Sequence, residues 1–141
     1  MIGAEPSPSS CVSSGPVLVL MLFFGGDYGR AVWSKLQVDD AALAGAMYAS
    51  LHGYNSSAVA TAAQATTNLT VSVSSNQWYG CAAATGVTSV TQNFTCTGGG
   101  GNHTAGTYLT VTASYNFQPL APGSLLGSPF TMTSSVTTRI Q

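Results

Sequence analysis

Charged residues are scarce in this sequence. Its 141 residues include three lysines or arginines and four aspartates or glutamates, which is 5% of the chain and a formal net charge of −1. Ordinary soluble domains carry roughly 25% charged residues. Because binding to a phosphate backbone requires several clustered cations, this composition excludes a nucleic-acid-binding function. Hydrophobic residues make up 45% of the chain, so serine, threonine, asparagine and glutamine must supply most of its polar surface.

A long apolar run is also missing. The longest is eight residues, 17–24, and two glycines follow it, whereas a helix that spans a bilayer needs about 20 apolar residues. Residues 17–26 are therefore predicted to be a short apolar segment, which fits either the core of a signal peptide or the last turns of a membrane helix. Residues 1–16 contain three prolines and five serines without periodicity, which predicts an extended or disordered leader.

The chain has three cysteines. Cys81 and Cys96 are 15 residues apart in a region with strand-like patterning, and we expect them to form a disulfide that stabilises the domain by about 3 kcal/mol. Such a bond indicates an oxidising compartment. For Cys11 three interpretations stay open: an exposed thiol, a bridge between chains, or an accident of where the chain begins.

Helical periodicity starts after the apolar segment. Large apolar side chains recur at intervals of four or seven between residues 28 and 51, which predicts a helix with one apolar face: Val32, Leu36, Leu43, Met47 and Leu51. We predict that Val32, Leu36, Leu43 and Met47 are packing positions, together with Gly45 in the small-residue surface between them, where another backbone can approach closely. His52-Gly53 predicts the end of this helix, and a second, alanine-rich helix is expected over about 55–67.

Beyond residue 68 the hydrophobic period falls to two, which is typical of strands with one buried face. Four strands are predicted, over about 69–74, 87–94, 108–117 and 130–140, with loops at 98–102 and 119–129. The β-branched threonines and valines of these segments favour the pleated surface of a sheet. The predicted fold class is α+β, in which the helices pack on a four-stranded antiparallel sheet within one domain over 27–141.

Residues that could carry chemistry are few and scattered. Asp39 and Asp40 are adjacent and therefore diverge by about 100° on a helix, and neither His52 nor His103 has a second histidine four residues away. We therefore expect no metal, no cofactor and no enzymatic activity. The aromatic residues of the strands fit a sheet core better than a ligand-binding patch, although both interpretations stay open: Trp78, Tyr79, Tyr115 and Phe117.

Three segments, taken in order, resemble the TadE/TadG-like family of tight-adherence (Flp-type) pilus assembly. Asp27-Tyr28-Gly29-Arg30 resembles the acidic-aromatic-Gly-Arg junction after the family's membrane helix, and residues 36–49 resemble the Ala/Gly-rich helix that follows it. His52-Gly53-Tyr54 and the second helix form the next similar segment. Residues 111–122 and 131–139 are similar to the last two strands, so that the resemblance covers about 23–141.

The resemblance implies a pilin-like, non-enzymatic subunit of a bacterial tight-adherence pilus or related envelope secretion system. Its implied partners are other pilus-assembly or pilin-like subunits, and its implied location is the cell envelope, anchored in the inner membrane through the N-terminal apolar segment and facing the periplasm or the surface. The alternative function is a secreted adhesin-like or carbohydrate-binding module that uses the aromatic and hydroxyl-rich face of the sheet.

Overall fold

A long helix packed on a curled antiparallel sheet forms the framework of the protein. The computed structural model describes residues 9–83, 85–98, 101–120 and 128–140. The elements, in chain order, are α1 (Ser9–His52), α2 (Ser56–Gln64), β1 (Ser72–Ala83), β2 (Gly86–Val90), β3 (Thr95–Gly98), β4 (Gly101–Thr104), β5 (Gly106–Phe117) and β6 (Phe130–Arg139). The predicted α+β class is confirmed, with both predicted helices present.

Helix α1 is longer than the sequence predicts. It covers 44 residues, about 66 Å at 1.5 Å per residue, and it begins at Ser9. The leader predicted over 1–16 is therefore wrong from residue 9 onward, and residues 1–8 lie outside the described residues. The physical reason is cooperativity, since each residue added to an existing helix gains a hydrogen bond without a new nucleation step. The helix ends as predicted, at Gly53, which has φ +81° and donates its N–H to the carbonyl of Ala49 at 2.9 Å.

The main sheet has four strands in the order β2-β1-β5-β6, and all neighbours are antiparallel. In the central register, Ala113 of β5 lies between Val73 of β1 and Ser134 of β6. The first two predicted strands are shifted: β1 runs from residue 72 to 83, and β2 ends at residue 90. Strands β3 and β4 form a separate two-stranded ribbon where the sequence predicted a loop, and Gly98 pairs with Gly101 in its register.

The core lies between one face of α1, α2 and the inner face of the sheet. The face of α1 that enters the core is mostly alanine, and it packs on residues of the sheet and α2. The α1 residues are Val38, Ala41, Ala42, Ala46 and Ala49, and the others are Val59, Ala63, Leu109, Val111 and Ala113. Gly45 marks the closest approach, since a Cβ there would lie 3.1 Å from Val111 Cγ1. The alanine and glycine face of α1 is therefore occupied by the chain's own sheet and second helix.

The predicted packing positions on the other face of α1 do not pack within the chain. Val32, Leu36, Leu43 and Met47 are between 44% and 58% exposed, whereas Gly45 is buried. The strands already supply the bulky side chains of the core, and the sheet is best covered by the helix face that lets the backbones come close. The large apolar side chains consequently point away from the sheet.

Candidate functional site

The Asp27-Tyr28-Gly29-Arg30 motif is divided between the interior and the surface. Asp27 is only 3% exposed, and its Oδ1 accepts hydrogen bonds from the backbone N–H of Leu120 at 3.1 Å and from the Arg30 guanidinium at 3.4 Å. The Arg30 guanidinium also lies 5.6 Å from the centre of the Phe117 ring. Tyr28 and Gly29 are exposed. Asp27 and Arg30 thus connect α1 to β5 and to the segment that follows it, and Tyr28 and Gly29 face solvent.

Replacing Asp27 with alanine is expected to lower the free energy of unfolding by about 1–2 kcal/mol, because the Leu120 N–H loses its acceptor. Asp27→Asn is the matched control, since its side-chain oxygen still accepts this hydrogen bond, and it should lose clearly less. Urea denaturation followed by circular dichroism measures both values. Equal losses in the two variants would contradict the role assigned to the Leu120 contact.

An apolar cavity of about 350 Å³ lies beside Asp27, where α1 meets the segment after β5. The residues that line it are Leu20, Leu22, Phe23, Phe24, Gly26, Asp27, Arg30 and Leu120. This cavity marks the point at which α1 leaves the core. Between Gly15 and Gly26, no residue of α1 is buried.

The apolar run at residues 17–24 belongs to this part of α1. Seven of its eight side chains are exposed, from 51% at Val19 to 77% at Leu22, and Phe24 is half-buried. Scattered exposed hydrophobic residues are normal on a protein surface, but a contiguous group of this kind marks an interaction site. In the part of the chain that the structure describes, no helix contains a stretch of the length and hydropathy needed to cross a membrane.

The predicted disulfide between Cys81 and Cys96 is confirmed, with a Cα–Cα distance of 5.6 Å. It joins β1 to β3 and thereby attaches the β3–β4 ribbon to the main sheet. Cys96 is buried and lies opposite His103 in the ribbon register.

The outer face of the sheet, on the side away from the helices, carries rows of hydroxyl groups. Thr110 of β5 contacts Thr137 of β6 through their hydroxyl oxygens at 2.9 Å, and it accepts a hydrogen bond from Trp78 Nε1 at 3.0 Å. The Trp78 ring stacks on Tyr108 at 5.0 Å between centroids. Two further polar contacts link the same strands: Thr112 with Ser135, and Thr131 with Asn116. This face is polar, regular and almost uncharged.

The aromatic residues of the strands do not form one patch. Trp78 lies on the outer face, whereas Tyr115 and Phe117 lie on the helix side, and Phe117 is 1% exposed within a cluster that includes Ala31 and Met132. Tyr79 is half-buried on β1. Core packing therefore accounts for Phe117 and part of Tyr115, while Trp78 takes part in the outer surface.

The aspartates and histidines considered for metal or acid–base chemistry are dispersed. Asp39 pairs with Lys35; burial raises the pKa of its carboxyl, but hydrogen bonds from Lys35 and Ser134 and the Lys35 charge outweigh burial and hold the pKa below its ordinary value. Asp40 is exposed, His52 stacks on Tyr48 at the end of α1, and His103 lies on β4. Over the described ranges, no group of three or more His, Cys, Asp or Glu residues is placed to hold a metal ion.

Sequence reasoning missed one set of residues at this site. Gly25, Gly26 and Gly29 lie inside α1, and a Cβ added to any of them would meet no atom within 4 Å. The G-x-x-x-G spacing of Gly25 and Gly29 directly after the apolar run was the available signal. By contrast, nothing in the sequence indicated that Asp27 would bind the backbone of Leu120.

The fold and this site define an α+β protein whose long N-terminal helix carries exposed apolar side chains along the part that leaves the domain. The model of the TadE-like protein family matches residues 14–47. This match confirms the predicted resemblance over that segment, which covers the exposed apolar part of α1 and most of its docked part. The match supports an involvement of this protein in tight-adherence pilus assembly. No curated protein and no solved structure matches the chain.

Proposed function

We propose that this protein is a structural, non-enzymatic subunit of tight-adherence pilus assembly, or of a related secretion system, at a bacterial cell envelope. One observation carries the proposal: the TadE-like segment at 14–47 coincides with a helix whose first part exposes large apolar side chains and whose second part is docked on a sheet. Helix α1 is thus built to join a folded domain to an apolar environment or partner.

The apolar residues 17–24 hold the subunit at the inner membrane in this proposal. Eight helical residues rise about 12 Å, which is less than half of the ~30 Å hydrocarbon core of a bilayer. Burying a large apolar side chain such as Leu20 or Phe23 contributes about 1.5–3 kcal/mol, so several of them suffice for stable association. The α+β domain then lies on the outer side of this membrane, where an oxidising environment maintains the Cys81–Cys96 bond.

Membrane fractionation and crosslinking test the proposal in a bacterium that makes tight-adherence pili. The full chain is expected in the membrane fraction, crosslinked to pilus-assembly or pilin-like subunits. Replacing both Leu20 and Phe23 with glutamine should shift most of the protein out of that fraction, because two exposed apolar anchors are lost.

The matched control is Leu51→Gln. Leu51 is 79% exposed but lies at the opposite end of α1, so this variant should fractionate as the wild type does. Recovery of the wild-type chain without membrane and without any pilus-assembly subunit would reject the proposed function.

The outer face of the sheet favours a second candidate, a secreted adhesin-like or carbohydrate-binding module. Its hydroxyl rows and the half-buried Trp78 ring, which stacks on the buried Tyr108, provide hydrogen-bonding groups and an aromatic ring of the kind that sugars contact. A monomeric protein that binds glycans, and loses this binding in a Trp78→Ala variant, would favour this candidate over pilus assembly.

A further inference from the structure

Three glycines in the middle of α1 have no close packing partner among the residues that the structure describes. Gly25, Gly26 and Gly29 lie in an uninterrupted helix, where each glycine costs about 1 kcal/mol relative to alanine. None of them has a positive φ, and a Cβ at each position would meet no other atom within 4 Å. Neither backbone conformation nor packing within the chain therefore explains their presence, in contrast to Gly45.

Gly25 and Gly29 lie in a row of exposed large side chains. The residues of this row are spaced by three or four, so they share one face of the helix, and we name the large ones the apolar ridge: Leu18, Met21, Leu22, Val32 and Leu36. Each is 44–77% exposed. The two glycines interrupt the ridge and form a notch between Leu22 and Val32, on the side of α1 opposite its buried alanines.

We propose that the apolar ridge is the contact surface for a second copy of this chain, with the two α1 helices crossing at Gly25 and Gly29. A G-x-x-x-G pair lets two helix backbones approach closely, and the flanking large side chains then pack around the crossing point. A helix face that carries both a notch and large flanking side chains can fit against the same face of a second copy. A two-fold symmetric interface requires such a match.

The exposed area of this face matches the requirement of a stable dimer. Tyr28 and Trp33, each 64% exposed, lie at the edges of the ridge. Together with the ridge they expose an area of the same order as the roughly 800 Å² that a standard interface buries on each partner. The ridge itself carries no charge, so two copies do not repel one another at the crossing.

The acidic pair at Asp39 and Asp40 limits the extent of the contact. These residues lie about 20 Å along α1 from the middle of the notch. Two copies that ran side by side in parallel would bring four carboxylates together. Helices that cross through G-x-x-x-G at about −40° diverge from one another, so the aspartates of the two copies separate and the contact is centred on Gly25 and Gly29.

This inference deepens the proposed function by naming one partner of the helix, and it rests on that function only for its location in the cell. One face of α1 contacts the second copy, and the other apolar side chains of 17–24 remain available to lipid. The two ideas therefore make separate predictions.

Sedimentation equilibrium of the purified full chain in a neutral detergent tests the pairing. All samples carry Cys11→Ser, so that a disulfide between copies cannot contribute. The parent chain should sediment as a reversible dimer. Gly25→Leu and Gly29→Leu should each raise the dissociation constant at least tenfold, because a leucine in the notch separates the two backbones.

Gly26→Leu is the matched control, since it introduces the same bulk into the same helix outside the notch, and it should leave the dissociation constant unchanged. Leucine favours helix more than glycine does, so circular dichroism should find all three variants folded. A monomeric parent chain would mean that detergent, lipid or a different protein covers the ridge, and it would overturn the proposal. A Gly29→Leu dimer as tight as the parent, or equal weakening by Gly26→Leu, would overturn it as well.

Failure of the pairing and failure of the proposed function give different results. A monomer that still crosslinks to pilus-assembly subunits at the membrane rejects the pairing alone. A dimer that is recovered without membrane or pilus-assembly subunits rejects the function alone.

Discussion

Replacing Gly45 with leucine is expected to lower the free energy of unfolding by about 3 kcal/mol, the upper part of the range for overpacked cores. A Cβ at this position would lie 3.1 Å from Val111 Cγ1 and 3.3 Å from both Ala63 Cβ and Val59 Cγ1. These contacts come from β5 and from α2, so the longer side chain cannot escape to either side. It must push α1 away from the sheet, and packing is lost along the whole helix.

Gly29→Leu is the matched control for this prediction. The substitution is the same, but a Cβ at Gly29 would meet no atom within 4 Å, so the stability of the monomer should stay equal or rise slightly through better helix propensity. Urea denaturation under conditions that keep both variants monomeric gives the comparison. A Gly45→Leu midpoint at or above that of Gly29→Leu would show that α1 does not approach β5 as closely as described.

Removing the disulfide by replacing Cys81 and Cys96 with alanine is expected to cost about 3 kcal/mol, the value for a loop of this length in the chain-entropy model. For a chain of about this size, such a loss lowers the Tm by roughly 10 °C. The bond is the covalent link between β1 and the β3–β4 ribbon. Among the described strands, β3 and β4 pair only with each other, and a two-stranded hairpin has little stability of its own. We therefore expect the ribbon to detach before the main sheet unfolds.

Differential scanning calorimetry measures the change in Tm, and hydrogen exchange measures the protection of the ribbon amides. Cys11→Ser is the control, and it should leave both unchanged. Ribbon amides that stay protected in the double variant would mean that side-chain packing, and not the disulfide, holds the ribbon in place.

Local sequence patterns predicted the strands well where one face is buried. The alternation of Leu109, Val111 and Ala113 with threonines gave the central strand and its inner face correctly, because a side-chain period of two assigns each residue to a face. The Cys81–Cys96 pairing was also predictable. The β3–β4 ribbon was not predicted, because its glycines also suit a loop and few strand-forming residues lie beside them.

The sequence did not show which face of α1 the domain itself buries, and the reason is physical. Periodicity identified a face with Val32, Leu36 and Met47, and large apolar residues are usually buried. Which face a helix buries depends on the surface that receives it, however, and here that surface already contains Leu109 and Val111. A sheet with bulky side chains is best covered by a helix face with small side chains. The sequence of the helix alone does not show which sheet surface the helix will cover. The same limit concealed the candidate site, because the exposure of the ridge follows from the burial of the alanines.

Selection acts separately on the residues of the two faces of α1. Substitutions among the inward alanines and Gly45 are penalised through folding, whatever the protein assembles with. Substitutions among the outward-facing leucines leave the domain folded and change only the partners that it contacts. A lineage could therefore exchange one set of neighbours for another by changing a few outward side chains, with the folded scaffold inherited unaltered.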